Sequence, residues 1–282
     1  FHASGSGVTG TWLRHAPDEA VMHRSVQADL TAVDMRTLLD ESAADVVVHC
    51  AALSARKDCE ADPARARAVN VDATRHLAGE AAIRGARFVF ISTDLVFDGD
   101  DAPYDEAAPT SPLSLYAETK AEAERQILAV NPESHIIRTA LMYGAGPGGI
   151  PGSFLAWTLD ALRKGEPLRL FANQYRTPLY APDVARFIAM LLAREAPPGI
   201  YHAAGPGPLS RCEIGHRVAE AFGFPAASIM AAEVARPAGR GPIDDCSLST
   251  AKAAALGMRF TVFETGLRKL VGQEGASTLA TP

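Results

Sequence analysis

The sequence predicts an α/β fold built on a doubly wound parallel sheet, with a smaller C-terminal lobe assembled from discontinuous segments. Short apolar runs of strand-forming residues, such as 88–91, alternate with stretches whose apolar residues recur at helical spacing, such as 63–77. This alternation is typical of parallel sheets that helices cover on both faces. The chain has 282 residues, 48% of them hydrophobic, which allows one large or two modest domains. No long repeat, charge block or linker divides the sequence into independent halves.

Composition argues against several classes of protein. The formal net charge of -6 gives no support to a surface that binds nucleic acid or anionic membrane, since either would need clustered Lys and Arg. No apolar run approaches the ~20 residues of a membrane span, and no secretory signal opens the chain, so we expect a soluble, cytoplasmic protein. The cysteines (Cys50, Cys59, Cys212 and Cys246) lack CxxC spacing, and Cys50 falls in a predicted buried strand. We therefore expect reduced thiols and no metal site.

One short stretch, residues 87–120, combines a predicted strand, a hydroxyl cluster and the start of a predicted helix. Residues 88–91 form an apolar run typical of a buried parallel strand, and Ser92, Thr93 and Asp94 follow at its end. In open α/β sheets, ligands bind outside the carboxyl ends of the strands. Position alone therefore makes these three polar residues candidates for a site.

A helix predicted to begin near Ser114 places Tyr116 and Lys120 four residues apart, on one face. A free tyrosine titrates near pH ~10, so it exchanges protons poorly at neutrality unless a cation stabilises the phenolate. Lys120 could supply that charge, and a hydroxyl of Thr93 or Ser92 could hold a substrate carbonyl against the phenol. This arrangement indicates a centre that reduces carbonyls or oxidises alcohols. The competing interpretation is a half-buried aromatic side chain near a solvated lysine.

Three glycines near the N-terminus, Gly5, Gly7 and Gly10, form a GxGxxG motif. Such glycines allow a tight turn and the close approach of a pyrophosphate to a helix N-terminus. The motif should follow a strand, yet only Phe1 and His2 precede the loop. Either a first strand is missing from this chain or the glycines are coincidental. We favour a missing strand, because the alternation downstream needs one to begin it.

A second strand is predicted over residues 20–23. The end of this strand is where a dinucleotide enzyme selects between a ribose hydroxyl and a 2′-phosphate, and an acidic residue there would favour NAD. The sequence has His23 and Arg24 instead, which favours NADP with Arg24 as the phosphate partner. A surface arginine is the alternative of equal weight.

A third strand is predicted over residues 44–50. It leads into Ala51 and Ala52, small residues that let the backbone lie close to a cofactor. His49 is expected to be a packed strand histidine rather than a ligand-facing donor. A crossover helix then follows, with Pro63 in a natural first-turn position.

Two motifs, STDLVFDG at 92–99 and PLSLYAETKAEAE at 112–124, resemble the extended short-chain dehydrogenase/reductases, most closely the dTDP-4-dehydrorhamnose reductase branch. The resemblance implies a Rossmann-type fold that binds NADP(H), with NAD(H) as the alternative. It also implies a catalytic triad of Thr93, Tyr116 and Lys120. In this triad Tyr116 is the proton donor, and Lys120 also touches the nicotinamide ribose.

Further matches to this branch imply cofactor contacts and show where the chain departs from the pattern. Asp29 and Leu30 stand where the family has an Asp-Leu pair beside the adenine, and Asn70 stands where an asparagine supports the active site through backbone contacts. Ala3 and Ser4 replace the first Thr-Gly of the family's TGxxGxxG, a change expected to weaken or alter cofactor binding. The expected cofactor-binding residues are Gly7, Val8, Thr9, Gly10, Arg24, Asp29, Leu30, Ala51, Ala52, Asn70, Ser92, Tyr116 and Lys120.

The substrate side is expected to begin after a strand over residues 135–139, whose RTALMYG ending is similar to the family's RTxxxYG. Reductases of the rhamnose pathway usually carry aromatic residues where this chain has Leu95 and Leu141. Since aromatic faces commonly stack on sugars, dehydrorhamnose itself is disfavoured and a more apolar or differently shaped substrate is expected. Arg176 is the expected partner of a nucleotide diphosphate because a guanidinium matches phosphate geometry, with a surface ion pair as the alternative. The expected substrate-binding residues are Asp94, Leu95, Leu141, Asn173 and Arg176.

The resemblance also implies domain boundaries. The dinucleotide-binding domain is expected over residues 1–142, with a helix over 181–195 returning to it. The substrate lobe is expected over 143–180 and 196–272, followed by a flexible tail over 273–282.

The expected activity is reduction of the 4-keto group of a nucleotide-sugar, or of another small-molecule ketone, with a hydride from the nicotinamide and a proton from Tyr116. A nucleotide-sugar epimerase stays open as an alternative. So does a non-catalytic NADP-binding regulatory subunit such as the methionine adenosyltransferase β subunit. The sequence leaves the oligomeric state open, with a homodimer as one option.

Overall fold

The structure is a computed structural model that describes residues 7–14, 16, 22–144, 150, 152–236 and 238–279, with side chains as far as residue 273. Strands and helices alternate along most of the chain, which confirms the predicted α/β class. The strands are β1 Thr9–Trp12, β2 Arg24–Gln27, β3 Val46–His49, β4 Arg87–Thr93, β5 His135–Thr139, β6 Met142–Tyr143, β7 Leu168–Phe171, β8 Gln174–Arg176, β9 Leu179–Tyr180, β10 Gly199–Ala203, β11 Leu209–Ser210, β12 Ile229–Ala232 and β13 Asp244–Asp245.

The helices are α1 Met35–Ser42, α2 Arg56–Ala61, α3 Pro63–Arg67, α4 Ala73–Ile83, α5 Leu115–Val130, α6 Phe154–Arg163, α7 Ala181–Ala193, α8 Arg211–Ala221, α9 Ala251–Ala255 and α10 Phe263–Leu279. A π-helical segment, Ala68–Asp72, joins α3 to α4, and a 3₁₀ turn, Asp94–Val96, follows β4. The predicted crossover helix is thus present as α3, the π-helical segment and α4.

The main sheet has the strand order β10-β5-β4-β3. Strands β3 and β4 are parallel, with Val46 opposite Arg87 and His49 opposite Phe90. The side chains of Phe88, Val89 and Phe90 in β4 are all buried, as expected for a strand covered on both faces. The predicted strands over 44–50, 88–91 and 135–139 are confirmed as β3, β4 and β5.

The chain divides into two compact units. Unit 1 comprises residues 1–92, 112–137 and 191–200. Its apolar core lies between the sheet and its helices and includes Met35, Leu39, Leu77, Ala78, Ala81, Phe88, Phe90, Ala123, Ile127 and Ile136. The alanines of α4 and α5 matter here, because small side chains let the two helices approach closely.

Unit 2 comprises residues 93–111, 138–190 and 201–282. Helix α8 supplies Ile214 and Val218 to its core, which also includes Tyr143, Leu155, Leu159, Leu162, Leu168, Leu170, Phe263 and Leu267. These packing units differ from the predicted domains in placing residues 93–111 and most of α7 in unit 2. The segment 93–111 is bonded to the C-terminal part of the chain, for example through Tyr104 N–H to the carbonyl of Ser247 (2.9 Å). The assignment of cofactor to one part and substrate to the other stays a prediction.

The N-terminal prediction needs correction. The second strand is β2, Arg24–Gln27, four residues later than predicted, and it pairs in parallel with β1, Thr9–Trp12. The strand over 9–12 follows from its β-branched and aromatic residues, which favour extended backbone. Gly5 lies outside the described residues, as do residues 20 and 21. Gly10 therefore lies within a strand and not in a loop that leads into a helix.

Two smaller predictions are also corrected. Helix α10 continues to Leu279, so part of the predicted tail is helical; residues 273–279 contain no proline and include the good helix formers Gln273, Glu274 and Ala276. Cys50 follows β3 and is exposed, whereas Cys59 is buried. Among the described helices, none has both the length and the apolar character that crossing a membrane requires.

Candidate active site

Helix α5 carries Tyr116 and Lys120, the pair that the four-residue spacing predicted to share a helix face. Ser114 is its N-cap, and its hydroxyl accepts a hydrogen bond from the backbone N–H of Ala117 (3.3 Å), which confirms the predicted helix start. Tyr116 is half-buried in the first turn. Lys120, one turn later, is only 2% exposed. The alternative of a solvated lysine is therefore wrong.

The ammonium group of Lys120 lies in a low-polarity environment. Its Nζ donates a hydrogen bond to the carbonyl oxygen of Ile91 (2.6 Å) and lies 3.8 Å from the centre of the Phe90 ring. Burial lowers the pKa of Lys120 to about 7, while the charges of Glu124 and Cys50 act in the opposite direction. A lysine with this pKa exchanges protons at neutral pH, and its ammonium form has donors to spare for a ligand.

Asn70 ties the loop after β3 to the helix that carries Tyr116 and Lys120. Its side-chain amide accepts from the N–H of Leu53 (2.7 Å) and donates to the carbonyl of Leu53 (3.0 Å). The same Nδ2 donates to the hydroxyl of Thr119 (2.9 Å), which in turn donates to the carbonyl of Tyr116 (2.7 Å). Asn70 lies in the π-helical segment and is buried. The expected backbone contacts of this asparagine are present, and its role in a site stays a prediction.

Two buried polar residues of the main sheet are engaged within unit 1. The hydroxyl of Ser92 donates to the carboxylate of Glu124 on α5 (2.5 Å). The ring of His49 contacts the hydroxyl of Thr74 (2.9 Å) and stacks on Phe90 with 5.8 Å between ring centres. Burial lowers the pKa of His49 to about 3, so the ring is neutral. His49 is thus a packed strand histidine, as expected.

The described part of the glycine segment, residues 7–10, leads into strand β1. A Cβ added at Gly10 would lie 2.1 Å from the sulfur of Met22, so this methionine fills the space beside the glycine. Val8 and Thr9 continue from Gly7 into β1, and the backbone N–H of Val8 donates to Nδ1 of His23 (3.0 Å). The predicted cofactor contacts of residues 7–10 stay predictions.

The remaining predicted cofactor residues lie in unit 1. Arg24 binds Glu41 through its carboxylate and its backbone carbonyl, each at 2.9 Å, on an exposed surface. This is the surface-arginine arrangement that the sequence left open. Asp29 is exposed, and hydrogen bonds from the hydroxyl and N–H of Thr31 lower its pKa. Ala51 is exposed and Ala52 half-buried after β3, while Leu30 packs against the core.

Thr93 belongs to unit 2, whereas Tyr116 and Lys120 belong to unit 1. The hydroxyl of Thr93 accepts from the N–H of Leu95 (3.2 Å) as the N-cap of the 3₁₀ turn. It donates to the carboxylate of Asp94 (3.2 Å). A substrate carbonyl would therefore have to replace Asp94 as the acceptor of this proton.

Arg176 has partners within the protein. It is 4% exposed, with Nη1 3.3 Å from the Asp244 carboxylate and Nε 3.7 Å from that of Asp94. Burial raises the pKa of Asp94, although the charges of Arg176 and Arg211 oppose this effect. The predicted ion pair is thus buried and not on the surface. The predicted contact of Arg176 with a diphosphate stays untested, and its guanidinium is already committed to two carboxylates.

The other predicted substrate residues have contacts within the protein. The amide of Asn173 donates to the carbonyls of Val234 (3.1 Å) and Pro242 (2.8 Å) and accepts from the N–H of Val234 (2.8 Å). Leu141 packs against the core of unit 2, and Leu95 is half-buried in the 3₁₀ turn. Their predicted contacts with substrate stay predictions.

Arg211, the first residue of α8, was not predicted from the sequence as a site residue. Its Nε donates to the side-chain oxygen of Gln174 (3.2 Å), and its guanidinium lies 4.6 Å from the centre of the Phe154 ring. The capping box formed by Ser210 and Glu213 would have placed Arg211 at the helix start from sequence alone. Nothing in the sequence indicates that it lies near Arg176.

Comparison with known protein families finds one that matches almost the whole chain. The pattern of the RmlD substrate binding domain matches residues 4–275. The chain belongs to the RmlD substrate binding domain family. Among curated relatives of this family member, a probable low-salt glycan biosynthesis reductase, Agl14, of Haloferax volcanii is 32% identical over 84% of this chain and 80% of its own length.

Two further relatives differ in kind. A dTDP-4-dehydrorhamnose reductase of Streptomyces griseus is 37% identical over 61% of this chain, and the match spans 58% of its own length. A methionine adenosyltransferase 2 subunit beta of Xenopus tropicalis is 31% identical over 85% of this chain and 73% of its own length. The relatives of this RmlD-type chain thus include reductases and also a subunit of a methionine adenosyltransferase.

Solved structures agree with the α/β architecture. A dTDP-4-dehydrorhamnose reductase of Clostridium acetobutylicum superimposes with a TM-score of 0.77 at 26% identity, over 88% of this chain and 90% of its own. A dTDP-glucose 4,6-dehydratase of Streptomyces venezuelae, solved with NAD bound, has a TM-score of 0.75 at 28% identity, over 90% of this chain and 80% of its own. The predicted Rossmann-type fold is confirmed.

Proposed function

We propose that the protein is an NAD(P)H-dependent reductase that acts on the 4-keto group of a nucleotide-activated sugar. Membership of the RmlD substrate binding domain family supports this proposal, as do its reductase relatives. The structural observation that carries it is the buried ammonium of Lys120, with a pKa lowered to about 7, one turn of α5 from Tyr116. Helix α5 thus carries the phenol of Tyr116 and, one turn away, the amine of Lys120, whose protonation changes near neutrality.

The residues of α5 fit a bound nicotinamide nucleotide better than the glycine segment does. Lys120 has three donor protons and makes one hydrogen bond among the described residues, to the carbonyl of Ile91. Its remaining donors suit the hydroxyls of a ribose. At Gly10, by contrast, the space beside the backbone is occupied by Met22. We therefore propose that NADP(H), or NAD(H), is held mainly by α5 and by the small residues after β3.

In the proposed reaction, bound NAD(P)H supplies the hydride. Tyr116 donates the proton from its phenol to the carbonyl oxygen, so that the ketone becomes a secondary alcohol. Lys120 stabilises the phenolate that remains. The family resemblance adds Thr93 as the third residue of the triad. Asn70 holds the backbone of Tyr116 through Thr119. Dehydration is disfavoured, because nucleotide-sugar 4,6-dehydratases of this family resemble Thr-Asp-Glu where this chain has Thr93, Asp94 and Leu95.

Replacement of Tyr116 by Phe tests this proposal. NADPH oxidation with keto nucleotide-sugars should fall below detection, while NADPH binding stays within about twofold of the wild type. Tyr180→Phe is a matched control, since it removes the same hydroxyl from a tyrosine for which the described residues include no hydrogen-bond partner. Turnover by Tyr116→Phe at the wild-type rate would reject the assignment.

A regulatory role is the second candidate, because the methionine adenosyltransferase 2 subunit beta is similar over most of this chain. In that case the purified protein would bind NADP(H), reduce no keto nucleotide-sugar, and co-purify with a partner enzyme. A tightly retained oxidised NAD would instead favour an epimerase. A homodimer stays a proposal, which light scattering of the purified protein would test, and the cytoplasmic location stays a prediction.

A further inference from the structure

Arg211 is held rigidly in unit 2. Its backbone starts α8, where the hydroxyl of Ser210 accepts from the N–H of Glu213 (3.1 Å) and the Glu213 carboxylate accepts from the N–H of Ser210 (2.7 Å). Its side chain is fixed by the bond from Nε to Gln174 and by the face of the Phe154 ring. The guanidinium therefore has a defined position before any ligand arrives.

One terminal nitrogen of this guanidinium lacks a partner among the described residues. Nη1 of Arg211 is enclosed and has no hydrogen-bond partner in the described part of the chain. Over the same residues, no carboxylate lies within ion-pair distance of Arg211, whereas Arg176 contacts Asp94 and Asp244. Two neighbouring arginines thus differ, because one is neutralised by the protein and the other is not. An enclosed guanidinium nitrogen without an acceptor is unfavourable in an empty site and indicates a missing acceptor.

The ionisable groups around Arg211 are a second arginine, two aspartates and a thiol. Arg176 and Arg211 face Asp94 and Asp244; burial raises the pKa of Asp94, and the charges of both arginines oppose that shift. Burial also raises the pKa of the Cys246 thiol to about 12, which keeps this thiol neutral. Burial and the charge of Arg176 lower the pKa of Arg211 to about 10, so the guanidinium remains protonated at neutral pH. An anion bound at Nη1 of Arg211 would give this nitrogen the acceptor that the described residues do not supply.

We propose that Arg211, with Gln174 and Phe154 as its supports, forms a subsite for an oxyanion of the substrate. The oxyanion is either the diphosphate of a nucleotide-sugar or a carboxylate on its sugar. The two terminal nitrogens of an arginine form a fork that matches either group with two parallel hydrogen bonds. This inference rests on the proposed function for the class of substrate. It assigns to Arg211 the anion contact that was predicted for Arg176 from the sequence.

Two pairs of probes distinguish the sources of the oxyanion. Calorimetric titration with dTDP and with thymidine isolates the diphosphate, and titration with UDP-glucuronic acid and with UDP-glucose isolates the sugar carboxylate. The variants are Arg211→Gln, which removes the charge, and Arg211→Lys, which keeps it without the fork. Arg217→Gln is the matched control, because it removes a charge from the same helix at an arginine that already pairs with Glu264 (3.2 Å). Titration with NADPH checks that each variant is folded.

Arg211→Gln should weaken dTDP binding by about 10- to 100-fold if the oxyanion is the diphosphate, since hydrogen bonds to charged groups contribute about 1.5–3 kcal/mol. Thymidine and NADPH binding should not change. If the oxyanion is the sugar carboxylate, the preference for UDP-glucuronic acid over UDP-glucose should be lost by a similar factor. Arg211→Lys should lose about tenfold in the same titration, and it decides the matter if the Gln variant does not fold.

Unchanged affinity for all four probes in the Arg211 variants would overturn the subsite, as would an equal loss in Arg217→Gln. These binding measurements require no turnover. A wild type that reduces no keto sugar, yet binds dTDP through Arg211, would reject the proposed reaction and keep the subsite. If the Arg211→Gln variant turns over normally and binds every probe as the wild type does, the subsite is rejected and the proposed reaction is kept.

Discussion

Lys120 should make the stability of the ligand-free protein depend on pH in an unusual direction. In the unfolded chain its pKa is the ordinary 10.5, and in the folded protein burial lowers it to about 7. Between these values the unfolded state binds one more proton than the folded state, so the free energy of unfolding rises with pH. Below pH 7 both states are charged and the full penalty for burying the ammonium is present.

The size of the effect follows from the two pKa values. One pKa unit corresponds to about 1.4 kcal/mol, so the penalty removed between pH 7 and 10.5 is on the order of 5 kcal/mol. Between pH 7 and 9, the accessible window, the gain is about 2 kcal/mol. Other groups also titrate there, so the measurement must isolate Lys120.

Urea unfolding of the wild type and of Lys120→Met at pH 6, 7, 8 and 9 separates the contribution of Lys120 from that of the other groups. The wild-type free energy of unfolding minus that of the variant should stay constant from pH 6 to just below 7. It should then rise by about 2 kcal/mol towards pH 9. Lys164→Met is the control, because Lys164 is exposed and paired with Asp160 (2.6 Å), and its difference from the wild type should be flat over this range. A flat or falling difference for Lys120→Met would refute the argument.

Three further changes have defined outcomes. Asn70→Ala removes three hydrogen bonds and should lower the free energy of unfolding by about 2–4 kcal/mol in urea titrations; an unchanged stability would contradict this network. Gly79→Ala in α4 meets open space and should raise the melting temperature through about 0.5–1 kcal/mol of stabilisation, whereas Gly215→Ala in α8 would place a Cβ 2.2 Å from Leu170 and should lower it. Ser210→Ala removes the capping box and should lower stability by about 1 kcal/mol in urea titrations; no change would mean that the cap contributes little.

The parts of the fold that the sequence predicted are those decided by local patterns. The apolar run at 88–91 and the N-cap serine at 114 each determine their element within a few residues, and both predictions were confirmed. The strand near residue 24 was misplaced because its residues, RSVQ, are mostly polar and exposed. Its partner strand at 9–12 decides where it forms, and that pairing is not visible in a local window.

The candidate site shows the same division. Tyr116 and Lys120 were found because four-residue spacing places them on one helix face. The commitment of Arg176 to Asp94 and Asp244 could not be predicted, since these carboxylates come from segments far away along the chain. Arg211 was missed for the same reason. Which arginine is left without a carboxylate partner depends on tertiary packing, and spacing carries no information about it.

The division of the chain between its two units also constrains how the protein can be made. The chain passes from one unit to the other after residues 92, 111, 137, 190 and 200. During synthesis on a ribosome, unit 1 can therefore reach its final form only once residue 200 has emerged. A fragment that stops near residue 142 would lack the carbonyl of Ala196, which the ring of His135 contacts (2.9 Å), and the N–H of Gly199, which donates to Ser134 (2.9 Å). Truncation near residue 142 is thus expected to destabilise unit 1, because it removes residues 191–200 from that unit.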